Sequence, residues 1–460
     1  MSKFLLIAPL IVVVLFPVYY VFLKPPPPLP EVDLEAWWGP EELRENFTTD
    51  ITPFKVKFDH VMISDLRERL QRRTKYTPPL KGVGFQYGFN TKQVDTWLNY
   101  WEKEYPFTDR VAFFNKYPQF KTNVQGLDIH FIKVTPNTSP RTEKVPILML
   151  HGWPGSVREF YEAIPLLTAA SKNRDFALEL IIPSLPGYGF SSAAAREGLG
   201  ANEIAVVFRN LMQRLGYKKY YVQGGDWGAL IGSSLVTLFP DEALGFHTNM
   251  GFVNTGKSNL VSLICAWFPS LIVDSKLAHR MYPLKQKYMT LIEEMGYMHI
   301  QATKPDTVGI GLTDSPAGLL VYILEKFSTW TNLENREKED GGLEIKWTKE
   351  KLIDNLMVYW STRSIATSMR LYAESFNLRH MAAQIEEIPT PVPTWILQAP
   401  HELAYAPPFI LKFKYPNLVK AQTIDDGGHF LAFELPDVFA EDVLNAITAF
   451  RQLKKTKTEL

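Results

Sequence analysis

Tyr220-Tyr221-Val222-Gln223-Gly224-Gly225-Asp226-Trp227-Gly228, followed by an apolar helical stretch from Ala229 to Phe239, decides the fold. A short apolar run that stops at glycines and turns straight into a helix reads as a Gly-x-nucleophile-x-Gly elbow, where small residues permit a strained turn that exposes one side chain at the sheet's carboxyl edge. The position that commonly holds serine holds Asp226. In isolation the match is weak, because aspartate is also a common turn former. Its weight comes from what surrounds it.

Upstream, Val145 to Leu150 and Ala177 to Ile182 are apolar runs that stop at Gly or Pro turns, and helical patterns such as Ile204 to Leu215 are interspersed with them. Leu127-Asp128-Ile129-His130-Phe131 alternates with period two, as a half-buried strand should. Strands alternating with helices predict a mostly parallel sheet covered on both faces. The next runs, Thr394 to Gln398 and Leu418 to Ile424, come only after residue 390, and a helix from Pro436 to Phe450 closes the pattern. The expected architecture is an α/β-hydrolase fold with its core in residues 126–251 and 386–460 and a helical lid, residues 252–385, inserted between them. Residues 50–125 read as an N-terminal arm that wraps this core, with a helix from Ser64 to Arg73. There Arg67, Arg69, Arg72 and Arg73 are interleaved with Asp65 and Glu68, which reads as a solvated face rather than a binding patch. The polar, glycine-ended stretch from Asn335 to Gly342 reads as a mobile surface loop.

The start of the chain differs in kind. Phe4 to Leu23 is apolar apart from two prolines and two tyrosines, is flanked by Lys3 and Lys24, and has the length needed to cross a hydrocarbon core. It lacks the small-residue exit of a cleaved signal peptide, so residues 1–24 read as a transmembrane anchor. Residues 25–49, opening with Pro25 to Pro28, read as a stiff proline-rich linker and the start of the arm. Asn46-Phe47-Thr48 and Asn137-Thr138-Ser139 match the glycosylation pattern, which matters only if the catalytic part is luminal. With 49 basic and 49 acidic residues, nothing global attracts nucleic acid. The single Cys265 excludes an intrachain disulfide and any Cys-rich metal site.

His151-Gly152-Trp153-Pro154-Gly155-Ser156 directly follows the strand ending at Leu150. In this architecture that loop supplies one backbone N–H of an oxyanion hole and the residue after the nucleophile supplies the other, so the donors are assigned to Trp153 and Trp227. His151 lies within the loop and reads as an orienting residue rather than a base. Asp425-Asp426-Gly427-Gly428-His429-Phe430 follows the last strand, where the order nucleophile, acid, histidine places the base, His429. The acid belongs just past the preceding strand, at Glu402; Asp425 and Asp426 compete for the role but read as turn formers. No part of this set calls for a cofactor or a metal.

A carboxylate nucleophile narrows the chemistry. Serine attacking an epoxide carbon would form an ether that activated water does not cleave, and the enzyme would stop after one turnover. Asp226 would form an ester, whose carbonyl carbon water activated by His429 can attack. Ring opening also needs an acid beside the epoxide oxygen, a task suited to phenol hydroxyls from the lid.

These residues resemble the microsomal-type epoxide hydrolases over nearly the whole chain, and within that family the juvenile hormone epoxide hydrolases of insects. The shared signals are the N-terminal anchor, Gly84-Phe85-Gln86-Tyr87-Gly88-Phe89-Asn90, His151 to Ser156, Pro186-Gly187-Tyr188-Gly189-Phe190, Gly224 to Gly228, and Gly427 to Phe430. Gly296-Tyr297-Met298-His299 and Met369-Arg370-Leu371-Tyr372 resemble the segments that carry the family's two lid tyrosines. The resemblance thus implies that Tyr297 and Tyr372 hydrogen-bond the epoxide oxygen; sequence alone does not single them out among 20 tyrosines. It further implies a small apolar epoxide as substrate, juvenile hormone or a xenobiotic, and a catalytic part held on the cytosolic side of the endoplasmic reticulum membrane. For such a substrate the lid run Leu260 to Val273 is apolar enough to line a pocket, or to form a core helix. Two alternatives stay open at this point: a haloalkane dehalogenase, which also uses aspartate on this fold, and a non-catalytic member that binds a hydrophobic ligand.

Overall fold

The computed structural model describes residues 17–458 apart from residues 140 and 172. The transmembrane expectation for residues 1–24 therefore lies largely outside the described residues. Its final part, Tyr19–Leu23, is a short helical turn. Among the described residues no single helix is long and apolar enough to cross a membrane.

Nine strands form one sheet: β1 (Thr52–Phe54), β2 (Gln119–Val124), β3 (Leu127–Val134), β4 (Glu143–Leu150), β5 (Phe176–Pro183), β6 (Tyr220–Gly224), β7 (Ala243–Thr248), β8 (Thr394–Gln398) and β9 (Leu418–Thr423). Their spatial order is β1-β2-β3-β5-β4-β6-β7-β8-β9. The first three strands and the β3/β5 junction pair antiparallel, and every pair from β5 through β9 is parallel. Both faces are covered, and the side chains divide by the period of two. On β4, Val145, Ile147 and Met149 join one buried cluster while Leu148 and Leu150 join the other. One cluster holds the terminal helix Pro436–Thr458, and the other holds the helices Ala201–Arg214 and Trp227–Leu238 together with much of the arm and lid. The sequence reading does not single out β1, β2 or β7; β1 has three residues and β7 carries His247 and Gly245, which blur the apolar run.

Between β7 and β8 the chain is helical, including Gly256–Ile264, Leu284–Glu294, Gly296–Thr303, Pro305–Asp314, Pro316–Thr329, Lys349–Thr362 and Ile365–Ser375. Two expectations for this region are corrected. The stretch from Asn335 to Gly342 is docked rather than mobile: Asn335 is buried and donates to the Ser328 carbonyl at 3.1 Å. The arm lies against it, with the Phe85 N–H on the Arg336 carbonyl at 2.6 Å, Gln86 on Glu337 at 2.7 Å and Lys92 on Glu339 at 2.9 Å. The run from Leu260 to Val273 is chiefly neither core helix nor pocket lining, since Trp267, Phe268 and Leu271 stand exposed to solvent.

Candidate active site

Strand β6 runs into the elbow, where Asp226 adopts φ +51° and ψ −127°. A side chain other than glycine rarely occupies this region, and holding it there costs about 1–3 kcal/mol. Tight packing behind the turn enforces it. A Cβ at Gly228 would lie 2.1 Å from the Leu150 carbonyl oxygen, so only glycine lets the helix Trp227–Leu238 start hard against the end of β4. The end of β4 in turn delivers the 151–156 loop to Asp226, where the Trp153 N–H donates to Asp226 Oδ1 at 2.8 Å. Trp227 opens the helix, and a first-turn amide has no intrahelical acceptor to occupy it.

His429 and Glu402 arrive from the other half of the sheet, past the ends of β9 and β8. His429 Nε2 lies 3.3 Å from Asp226 Oδ2, and His429 Nδ1 lies 2.7 Å from Glu402 Oε1. Glu402 and His429 are buried, whereas Asp425 and Asp426 are exposed and Asp426 pairs with Lys346 at 2.6 Å. The carboxylate in contact with the histidine is Glu402. His151 stands apart: its Nδ1 bonds the Gly152 carbonyl at 3.0 Å and its Nε2 accepts from the Leu185 N–H at 3.1 Å. Both ring nitrogens are committed to backbone, and burial pushes its pKa down to about 4. This ring ties the loop to the end of β5 as a neutral strut.

The lid closes over Asp226 with aromatic rings. Tyr297 stacks on Trp153 at 5.4 Å between centroids, and Tyr372 stands edge-on to Trp227 at 4.7 Å. The tyrosine rings are 6.0 Å apart and close to perpendicular. Trp330 completes the roof: it packs on Tyr297 at 5.0 Å and on the His429 ring at 5.0 Å, and its carbonyl accepts the His429 N–H at 3.0 Å.

Residues 51–160 match the family described as "Epoxide hydrolase N terminus", and residues 145–275 match "alpha/beta hydrolase fold". The chain is 64% identical to the juvenile hormone epoxide hydrolase of Bombyx mori over the whole of both chains. It is 43% identical to epoxide hydrolase 1 of Oryctolagus cuniculus, covering 89% of this chain and 91% of the rabbit one. The chain belongs to the epoxide hydrolase family. The crystal structure of the silkworm juvenile hormone epoxide hydrolase superposes with a TM-score of 0.91 at 65% identity, over 92% of this chain and all of that one. Membership sets aside the dehalogenase and binding-only readings.

In this epoxide hydrolase the protonation of the groups around Asp226 is set by burial and by neighbouring charges together. Burial alone would depress His429, but the Glu402 charge and the bonds to Asp226 and Glu402 outweigh it and hold the imidazole well above its ordinary pKa. Burial first, then repulsion between Asp226 and any phenolate, keeps Tyr297 well above the ordinary phenol pKa; for Tyr372, burial and Tyr297 lead and Asp226 adds. Both are proton donors, not phenolates.

Three residues of this site escape a sequence reading. Glu159 lines a pocket of about 20 Å³, the size of one water, together with Asp226, His429 and Asn249. Burial pushes its carboxyl up to about 8. Gly155 leaves it room, since a Cβ there would collide with Glu159 Oε1. The spacing Ser156-Val157-Arg158-Glu159 has the Ser-x-x-Glu pattern of a helix start, with the Ser156 hydroxyl accepting the Arg158 N–H, and says nothing of chemistry. Glu434 accepts the N–H groups of Gly428 and Phe430, each at 2.9 Å, and so fixes the turn that carries His429. Trp330 is the third, with no local motif to mark it.

Proposed function

We propose that this epoxide hydrolase opens an apolar terpenoid epoxide, juvenile hormone or a close chemical relative, through a covalent ester on Asp226. The observation that carries the mechanism is the continuous chain Asp226, His429, Glu402 beneath two protonated phenols. An Asp226 oxygen attacks one epoxide carbon, the ring C–O bond breaks, and Tyr297 or Tyr372 gives its proton to the departing oxygen. His429 then reprotonates that tyrosine. Alkylation favours this transfer because it removes the Asp226 charge, one of the two anions that raise the imidazole pKa. Neutral His429 next takes a proton from water, and the hydroxide adds to the Asp226 carboxyl carbon. The oxyanion is received by the Trp153 and Trp227 amides. Collapse expels the diol, protonated by His429, and the proton left on the Asp226 carboxyl returns to His429. Glu402 holds the imidazole in register throughout.

The substrate assignment rests on the 64% identity with the silkworm enzyme and on the aromatic roof, which suits an apolar chain better than a charged one. A membrane location follows from the same chemistry. The apolar segment Phe4 to Leu23 with its lysine flanks serves as a single-pass anchor in the endoplasmic reticulum membrane, the catalytic part facing the cytosol. The test is a rate comparison between juvenile hormone and a small aryl epoxide. The expected kcat/KM is at least ~10-fold higher for the hormone, or about 1.4 kcal/mol of extra transition-state binding. Equal or reversed rates would make this a general detoxifying hydrolase.

A further inference from the structure

The lid carries an apolar surface that none of the described residues covers. After the helix Gly256–Ile264 the chain presents Trp267 (74% exposed), Phe268 (68%) and Leu271 (72%) outward. The helix Leu284–Glu294 follows, with no buried residue at all, and exposes Tyr288, Leu291 and Ile292 at the spacing of one helical face. The two parts are tied together: the Tyr282 hydroxyl, just before the second helix, donates to the Ser262 carbonyl of the first at 2.8 Å. A surface of this kind on a folded domain marks an interaction site.

The same lid helix receives the end of the apolar N-terminal segment. Tyr19–Leu23 packs against Gly256–Ile264, the Tyr20 hydroxyl would lie 2.2 Å from a Cβ at Gly256, and Lys257 Nζ donates to the Lys24 carbonyl at 2.9 Å. Phe22 and Leu23 are exposed there. The described end of the apolar segment and the exposed lid surface thus meet at the helix Gly256–Ile264. The fringe is basic, with Lys257, Lys276, Lys285 and Lys287; its acids are Asp274 and, at the end of the second helix, Glu293 and Glu294, which pair with Arg336. Aromatic and aliphatic side chains ringed by lysine suit the interface of a bilayer bearing anionic lipid.

We infer that this lid face, from Trp267 through Ile292, rests in the interfacial layer of the membrane beside the point where the N-terminal segment leaves it. The inference rests on the anchoring reading above and adds that the lid itself is a lipid contact. The full chain with Cys265→Ser is spin-labelled through Trp267→Cys, Leu291→Cys or, as a control on the arm, the exposed Tyr87→Cys, and reconstituted in phosphatidylcholine vesicles with and without phosphatidylserine. Turnover of a small water-soluble epoxide reports that each variant is folded. The expected result is that labels at positions 267 and 291 are reached more readily by oxygen than by a water-soluble nickel complex, that the order is reversed at position 87, and that phosphatidylserine strengthens the contrast. Labels at 267 and 291 as open to nickel as the one at 87, in protein that floats with the vesicles, would overturn the lid contact and leave the anchor standing. Dipolar broadening at position 267 that vanishes on dilution with unlabelled protein would assign the face to a second copy. Absence of flotation would overturn the anchoring reading and this inference with it.

Discussion

In the resting enzyme His429 sits between Asp226 and Glu402, and its charge state depends on both. Once Asp226 is esterified, only Glu402 remains ionised beside the imidazole. The His429→Gln variant is therefore expected to open the epoxide and to accumulate the ester, seen as a mass increase on the elbow peptide after a single burst of substrate; loss of the burst itself would contradict the division of labour. Glu159 makes a prediction about stability. The unfolded chain ionises this carboxyl from about pH 4.5, while the folded protein keeps it protonated up to about pH 8. Between those limits the native state holds the extra proton, so folding stability falls with rising pH, by up to about 1.4 kcal/mol per unit for this group. Glu159→Gln removes that slope. Its melting temperature should rise relative to the parent across this window, and a difference that stays flat with pH would show that the carboxyl is not held neutral. Asp226, His429 and Glu402 were legible because each stands at a fixed place in the strand order. Glu159 and Trp330 were not, because their roles arise from what folding packs beside them.

At the scale of elements, one lid helix holds three parts of the protein together. Asp354, on Lys349–Thr362, accepts from Arg158 Nε at 2.8 Å, from Arg110 at 2.6 and 2.9 Å, and from the Tyr105 hydroxyl at 2.9 Å. Arg158 belongs to the core, and Arg110 and Tyr105 to the arm. The neighbouring Asn355 donates to the Pro154 carbonyl at 2.8 Å, and Tyr359 donates to that of Gly155 at 2.6 Å. The same helix thus fixes the loop whose Trp153 amide meets Asp226. Asp354→Ala leaves two buried guanidinium groups short of their shared partner, an effect of about 3–5 kcal/mol. The denaturation midpoint is expected to drop accordingly and turnover to fall with it; an unchanged midpoint would mean that Glu162 and Glu350 suffice as counter-charges. Sequence periodicity foresaw a helical lid but not this clamp, since Asp354 and Arg110 are 244 residues apart. The docked stretch from Asn335 to Gly342 was misread for the same reason: its partners, Phe85 and Gln86, lie in the arm and its composition looks like any solvated loop.

At the scale of the whole molecule, arm, core and lid form one body around the site, and the orientation proposed for that body at a membrane can be tested at the two glycosylation motifs. Asn46 and Asn137 are both exposed. For a catalytic part in the cytosol, endoglycosidase treatment of the microsomal protein should leave its electrophoretic mobility unchanged. A shift abolished by Asn46→Gln or Asn137→Gln would place the catalytic part in the lumen. The sheet order carries one more consequence. Asp226 sits at the end of β6, but Glu402 and His429 come only after β8 and β9, and Tyr297 and Tyr372 come from the lid between them. During synthesis the apolar segment Phe4 to Leu23 leaves the ribosome well before His429, which stands among the last elements of the core. Under the anchoring proposed above, the growing chain meets its membrane before Glu402 and His429 have been made, so a half-made copy is already in position and still lacks the groups that surround Asp226.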